Sequence, residues 1–363
     1  MSTAAKARLA AVASHLWCPR GSSAATPGAG EAPTNSPRGP ELQGFGIGWD
    51  DRPRALQPPV FDPVSQFQEA CAFYAETGFV IVDALRPDEV SKAQGVFGKF
   101  LADADGEQLK GGSLGQGQLL YPLLGNGDDL DRYAGIDFAI DHPRVLPIIA
   151  DSLGGLDHVR FQEFNMRGYP AGFGAKQPDG SYSPGSRGMA FHSDATAGDH
   201  FTRQPYGPPD YCSAFYYLTD VTSHTPAFCV VPHSKRAHSL SEVKDQLGEA
   251  YCEYRVEGKA GLCIIADSAT MHTRLDGDGH ASRRIMHLAY ARGGWIQLND
   301  GGWRPPAPAL FQLLIPQRLA FHADPGMRRL CSLWSPSMCE WAAGGFQTEY
   351  ITDPTRRAPK PGH

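Results

Sequence analysis

Hydrophobic and polar positions along the chain change their rhythm near residue 159. Before it the period is helical. Ser65 to Thr77 carries apolar residues at helical spacing and predicts a helix, and Gly78 begins a strand of alternating apolar character. Pro87-Asp-Glu-Val opens a second helix, with proline in its first turn and acids that complement its dipole. Gly111 to Asp131 is glycine-rich and predicts a loop lying across a pocket mouth. From Val159 onward, short β-rich runs are separated by Gly, Pro and Asp clusters, a pattern of many short strands after a helical start. The expected class is therefore mainly β with flanking helices, a jelly-roll, cupin-like barrel of the double-stranded β-helix type.

Two of these runs matter most. Gly261-Leu-Cys-Ile-Ile-Ala-Asp-Ser-Ala-Thr-Met-His272 reads as one turn residue followed by a largely apolar strand that ends in histidine. After the turn-rich Leu275-Asp-Gly-Asp-Gly, Arg283-Arg-Ile-Met-His-Leu-Ala-Tyr reads as the returning strand of an antiparallel hairpin. Alternation puts Arg283, Ile285, His287 and Ala289 on one face, and Arg284, Met286, Leu288 and Tyr290 on the other, so one arginine of the two faces a pocket. A third run, Arg160 to Tyr169, places Glu163, Asn165 and Arg167 on one face with Phe161.

The candidate chemistry is a spaced set: His192 and Asp194 in Phe191-His-Ser-Asp, then His272, then an arginine. Two imidazoles and one carboxylate cap one face of a divalent iron and leave the opposite face to ligands. A guanidinium offers a planar fork suited to a carboxylate. Together they point to an iron-dependent oxygenase that uses a 2-oxo acid. A His-x-acid pair alone says little. With 13 histidines and 39 acids in 363 residues, about 1.4 are expected by chance, and a second is present in His322-Ala-Asp324.

The stretch from about Phe79 to Arg292 resembles the phytanoyl-CoA dioxygenase family of iron(II)/2-oxoglutarate oxygenases. Thr77-Gly-Phe-Val-Ile-Val-Asp-Ala-Leu-Arg-Pro resembles its opening strand and helix, Asp141-His-Pro-Arg-Val-Leu its pre-barrel helix, and Phe191-His-Ser-Asp its proximal ligand motif. Gly261 through His272 is similar to the strand that ends in its distal ligand. The resemblance implies iron held by His192, Asp194 and His272. The arginine eleven positions on, Arg283 rather than Arg284, would sit on the far carboxylate of 2-oxoglutarate, with Arg167 as a second cosubstrate contact. It further implies hydroxylation or another oxidation of a C–H bond in a small metabolite, with dioxygen consumed and succinate and CO2 released. Asn165, Thr196, Phe215, Tyr217 and His287 are the candidates for the substrate pocket. There are departures. His224-Thr225 stands where the family has Asn-Gly and His233 where it has a turn glycine, so that loop is expected to take a different shape, and Ser193 stands where glutamine is more frequent. A cupin-like metal-dependent isomerase or hydrolase, and a non-catalytic metal-binding barrel, are the competing readings.

Composition narrows the partners. Net charge is −6 with acids and bases interspersed, which implies no polyanion surface and hence no nucleic-acid partner. No run of apolar residues is long enough to span a membrane. Eight scattered cysteines without a close Cys-x-x-Cys pair fit reduced, packed thiols, and so an intracellular, by default cytoplasmic, protein. The expected division is 1–58 as tail and linker, 59–293 as the oxygenase domain, and 294–363 as a tryptophan-containing extension packed on the barrel. Residues 1–40 are rich in Ala, Ser, Gly and Pro with one acid and four bases, which reads as a disordered tail or an organelle transit peptide. Monomer and homodimer are equally open.

Overall fold

A computed structural model describes residues 58–103, 119–122, 135–169, 191–193, 211–235, 237, 239–275, 282–292, 296–297, 303–304, 319 and 321–331. The expected tail, the loop at 111–118 and most of the extension beyond 294 lie outside them.

The first helix, α1 (Phe67–Thr77), buries Phe67, Ala70, Cys71 and Tyr74, the i, i+3, i+4, i+7 stripe of an amphipathic helix. It ends on Gly78 at φ 90°, whose N–H donates to the Tyr74 carbonyl. Strand β2 (Phe79–Asp83) follows, after a two-residue β1 (Val60–Phe61), and α2 (Pro87–Asp103) begins where the Glu89 carboxylate accepts the Arg86 N–H at 2.9 Å. The glycine-rich stretch expected as loop contains a strand, β3 (Leu119–Pro122), paired to the edge of the sheet. A short α3 (Leu146–Ser152) leads into β4 (Val159–Tyr169), and β5 (Tyr211–Tyr217), β6 (Ala227–Val230), α4 (Leu240–Leu247), β7 (Tyr254–Val256), β8 (Leu262–Asp267), β9 (His272–Leu275) and β10 (Arg283–Arg292) follow.

The strands form two main sheets. Seven run in the order β1-β2-β8-β5-β10-β4-β3, antiparallel except for β1 on β2, and three in the order β7-β6-β9. The small sheet covers one face of the large one. Phe79, Ile81, Phe215, Tyr217, Ile264 and Ile285 from the large sheet pack with Phe228, Val230, Tyr254 and Val256 from the small one. The other face of the large sheet carries Val80, Val82, Ala214, Tyr216, Ile265, Met286 and Leu288 against α1, α2 and α3. Central strands are thus buried on both faces, so β2, expected to alternate, is instead apolar and buried without a break from Phe79 to Val82, and β8 is buried from Cys263 to Asp267.

One face assignment fails. Phe161 does not share the face of Asn165 and Arg167 but packs on the helix side, its ring 5.7 Å from Tyr290. The cause is a β-bulge: Glu163 pairs with Ala289 and Phe161 with the very next residue, Tyr290, so Gln162 is extra and the alternation inverts there. The rest of β10 alternates as expected.

The second His-x-Asp pair is a helix cap. Asp324 accepts the Gly326 N–H at 2.7 Å at the start of α5 (Pro325–Leu330), and His322 Nδ1 accepts the Asp324 N–H at 3.1 Å. Among the described residues six cysteines are buried and unbridged, and no helix is long and apolar enough to cross a membrane.

Candidate active site

The apolar run ending in His272 is not one strand. After Asp267 the chain leaves the large sheet, turns through Ser268–Met271 and enters the small sheet as β9. The expected hairpin between β9 and β10 is therefore absent, and His272 and Arg283 stand on strands of different sheets rather than along one ladder. Packing around the turn explains the break. The Asp267 N–H and the Thr270 hydroxyl both donate to the Gly78 carbonyl, at 2.9 and 3.2 Å, and the Asp267 carboxylate accepts the Ala269 N–H at 2.8 Å. An ion pair on the buried Asp267 carboxylate clamps it, from the partly exposed Lys235 Nζ at 2.9 Å, and the same ammonium lies over the Tyr74 ring.

His272 and His192 are direct partners across an antiparallel bridge, each N–H donating to the other's carbonyl at 2.9 and 3.0 Å. Their side chains therefore leave the same face. The ring centroids lie 4.5 Å apart at 52°. Two imidazoles bound cis to one first-row divalent ion, with metal–nitrogen lengths of about 2.1 Å, place their centroids roughly that far apart. The His272 Nδ1–H donates to the Thr270 carbonyl at 2.8 Å, which assigns the lone pair to Nε2. Phe228 stacks on the same ring at 5.4 Å and 22°. The residues present thus fit a metal held by two imidazoles. Asp194 and Thr196 lie outside the described residues, and among the described residues no group of three His, Cys, Asp or Glu side chains converges. Ser193, standing where glutamine was looked for, is buried and donates to the Ser268 carbonyl at 3.0 Å, tying this segment to the turn before His272.

The two arginines at the start of β10 part company. Arg283 is 3% exposed, its Nη1 donates to the Pro226 carbonyl at 3.1 Å, and its guanidinium lies 5.9 Å from the Tyr217 ring centroid, inside the gap. Arg284 turns outward over Phe97 on the helix side. Tyr217 is buried under Arg283 with its hydroxyl on the Val256 carbonyl, and burial pushes that phenol up to about 12. Phe215 stacks flat on His287 at 4.4 Å. His287 Nε2 lies 3.0 Å from the Ser213 hydroxyl. Burial, and then the charges of Arg167 and His272, hold its imidazole well below the usual range and so neutral. Asn165, the register partner of His287, is 1% exposed, and its Nδ2 is buried without a hydrogen-bond acceptor. Arg167, half-buried, pairs in register with Ile285 on the same face.

Reasoning from the sequence missed Arg274. It is 4% exposed and pairs in register with Phe228, whose ring contacts both Phe215 of the large sheet and His272, so Arg274 belongs to the inward face of β9. The signal was its place two residues beyond His272, hidden because β9 had not been recognised as a strand starting at the histidine.

His233 takes φ 61°, the left-handed region that glycine enters without strain, at the position where a glycine was expected. The turn keeps that conformation despite the side chain.

No protein-family model matches the chain, that of the phytanoyl-CoA dioxygenase family included, and no curated protein matches it in sequence. Solved structures do resemble it. One is the non-heme alpha ketoglutarate dependent epimerase SnoN from nogalamycin biosynthesis, 17% identical over 68% of this chain and 86% of that one, with a TM-score of 0.46. EctD from S. alaskensis, solved with 2-oxoglutarate and 5-hydroxyectoine, is 19% identical over 69% and 82%, TM-score 0.47. HygX from Streptomyces hygroscopicus, with nickel and 2-oxoglutarate bound, is 15% identical over 66% and 96%, TM-score 0.44. Identities and scores this low leave the function to be read from the chain's own side chains.

Proposed function

We propose that the chain is a non-haem iron(II)- and 2-oxoglutarate-dependent dioxygenase of the phytanoyl-CoA dioxygenase type, with its two sheets as walls of a double-stranded β-helix and a small-molecule metabolite as substrate. The observation that carries this reading is the His192–His272 pair, side by side on one face with the His272 tautomer set by Thr270, opening into the gap that Arg283 enters from the opposite sheet. Asp194, next after the buried Ser193, would complete the ligand set. Ferrous iron with 2-oxoglutarate and dioxygen supplies the oxidation of a C–H bond, with succinate and CO2 as the other products.

The protein's share is placement. Arg283, held by the Pro226 carbonyl beside the Tyr217 ring, would set its planar guanidinium against the far carboxylate of the cosubstrate. Neutral His287, flat on Phe215, adds polarity to the wall without adding charge. The buried Asn165 amide costs about 1–3 kcal/mol while its N–H lacks an acceptor, and an oxygen of a bound small molecule would remove that cost. Phe228, Phe215 and Ile285 keep water from the gap.

The test is anaerobic reconstitution with iron(II) and 2-oxoglutarate, then a metabolite screen scored for succinate release on admitting air, with His272→Ala beside the wild type. Succinate that depends on His272 supports the reading. Iron binding with no succinate from any metabolite would revive the non-catalytic barrel, and iron binding without 2-oxoglutarate binding the cupin-like isomerase or hydrolase.

A further inference from the structure

Arg283 is held by the Pro226 carbonyl, which accepts its Nη1 at 3.1 Å and closes a turn at 222–226 in the connection from β5 to β6. A glycine at 225 would let this turn enter the left-handed region. With threonine there the backbone stays out of it. The turn closes instead on Thr225, which is fully buried. Its hydroxyl donates to the Thr222 carbonyl at 2.9 Å and accepts the Thr222 N–H at 2.8 Å, and its own N–H donates to the Thr222 carbonyl at 3.1 Å. The turn then meets a cation. Arg255 of β7, itself buried, donates from Nη2 to the carbonyls of Thr222 at 3.1 Å, Ser223 at 3.3 Å and Thr225, while its Nε donates to the Glu257 carboxylate at 3.0 Å.

The Thr225 carbonyl shares a rigid peptide plane with the nitrogen of Pro226. Arg255 therefore fixes that plane, the proline ring fixes φ near about −65°, and ψ of Pro226 is the one soft dihedral left before the carbonyl that holds Arg283. Pairing of the next residue, Ala227, with Leu275 in the small sheet sets that dihedral. A second support comes from the residue after Arg255. The Val256 carbonyl accepts the Tyr217 hydroxyl at 2.8 Å, and the Tyr217 ring centroid lies 5.9 Å from the Arg283 guanidinium. Strand β7 thus backs Arg283 along two routes.

We propose that Arg255 is a positioning residue for the cosubstrate, acting on Arg283 through the 222–226 turn. The proposal rests on the oxygenase reading and deepens it by naming what aims the cosubstrate arginine. A residue that only stabilises the fold would weaken every ligand alike when replaced. A residue that acts through Arg283 weakens only those ligands that reach Arg283.

Anaerobic titration calorimetry of the iron(II)-loaded full chain tests this, with 2-oxoglutarate and, as an acid whose tail offers Arg283 no charge, 2-oxopentanoate. Arg255→Gln should weaken 2-oxoglutarate about 10-fold and leave 2-oxopentanoate within about two-fold, the scale of a lost outer support. Arg255→Lys keeps the charge without the planar fork and should lose less in the same direction. It takes over every comparison if circular dichroism shows that Arg255→Gln does not fold. Because the effect passes through Arg283, the Arg255 change should add nothing to Arg283→Gln, and the double variant should bind 2-oxoglutarate as Arg283→Gln does. Equal weakening of both acids, no change in either, or losses that add in the double variant would each overturn the proposal. If Arg283→Gln weakens 2-oxoglutarate and the Arg255 change does not, this inference alone fails. A wild type that binds neither acid sinks the oxygenase reading and this inference with it.

Discussion

Gly78→Ala probes the joint that delivers His272 to the site. At φ 90° an L-residue is strained, by about 1–2 kcal/mol for alanine. The added Cβ would also lie 2.2 Å from the Thr270 hydroxyl oxygen and 3.1 Å from Lys235 Cε. The hydroxyl, fully buried, must give up its bond to the Gly78 carbonyl, which adds about 1–3 kcal/mol for a stranded polar group. The total is roughly 3 kcal/mol in urea denaturation followed by circular dichroism. Gly154→Ala is the control. Its φ of 86° carries a similar backbone strain, but nothing lies nearer than 3.6 Å to its Cβ, so its cost should stop near 1–2 kcal/mol. Thr270→Ala in the Gly78→Ala background removes the collision, and the double variant should be more stable than the sum of the singles predicts by about 1 kcal/mol. Because the Thr270 carbonyl orients His272, Gly78→Ala should also weaken iron(II) binding about 10- to 100-fold, the size of effect seen when a ligand's outer support is lost. If Gly78→Ala costs no more than Gly154→Ala, or if the Gly78 and Thr270 changes simply add, then close packing at this joint is not what holds the turn.

Lys235→Met leaves the Asp267 carboxylate, 3% exposed, without its cation, and should cost about 3–5 kcal/mol by chemical denaturation, whereas the double change Lys235→Met/Asp267→Leu should cost clearly less. Equal costs would mean that the ion pair does not clamp the turn before His272. Glu89, which accepts from the Arg86 N–H and lies 3.4 Å from His142 Nε2, is held down to about 2 from a usual 4.5, chiefly by the His142 contact. A carboxyl depressed on folding stabilises fully above its unfolded value and loses that contribution as pH falls through the folded one. The stability advantage of wild type over Glu89→Gln should therefore be constant above about pH 5 and shrink between pH 4.5 and 2. An advantage that stays flat across that window would refute the pairing.

Local periodicity was enough for much of the scaffold. The stripe at Phe67, Ala70, Cys71 and Tyr74 with Gly78 behind it, the proline and acids opening α2, and the alternation that turns Arg283 inward and Arg284 outward are each decided by neighbours within a few residues. His192 lies in a motif that could be read directly, whereas the loop at His233, expected to differ in shape from one with the turn glycine, takes the glycine conformation with histidine in place. Other features depended on partners far away in the chain. Leu262 to His272 contains no Gly or Pro to mark a break. The break is made by the Gly78 carbonyl, 192 positions before the Thr270 hydroxyl that it holds, and by Lys235 in the turn that follows β6. The bulge at Gln162 exists because β4 must keep pairing with β10, and β3 is a strand because an edge of β4 was open to it. Arg274 shows the division most clearly. Its chemistry is plain in one letter of the sequence, but whether that side chain faces water or the interior is settled by which sheet receives His272, and that choice belongs to the packing of the whole molecule.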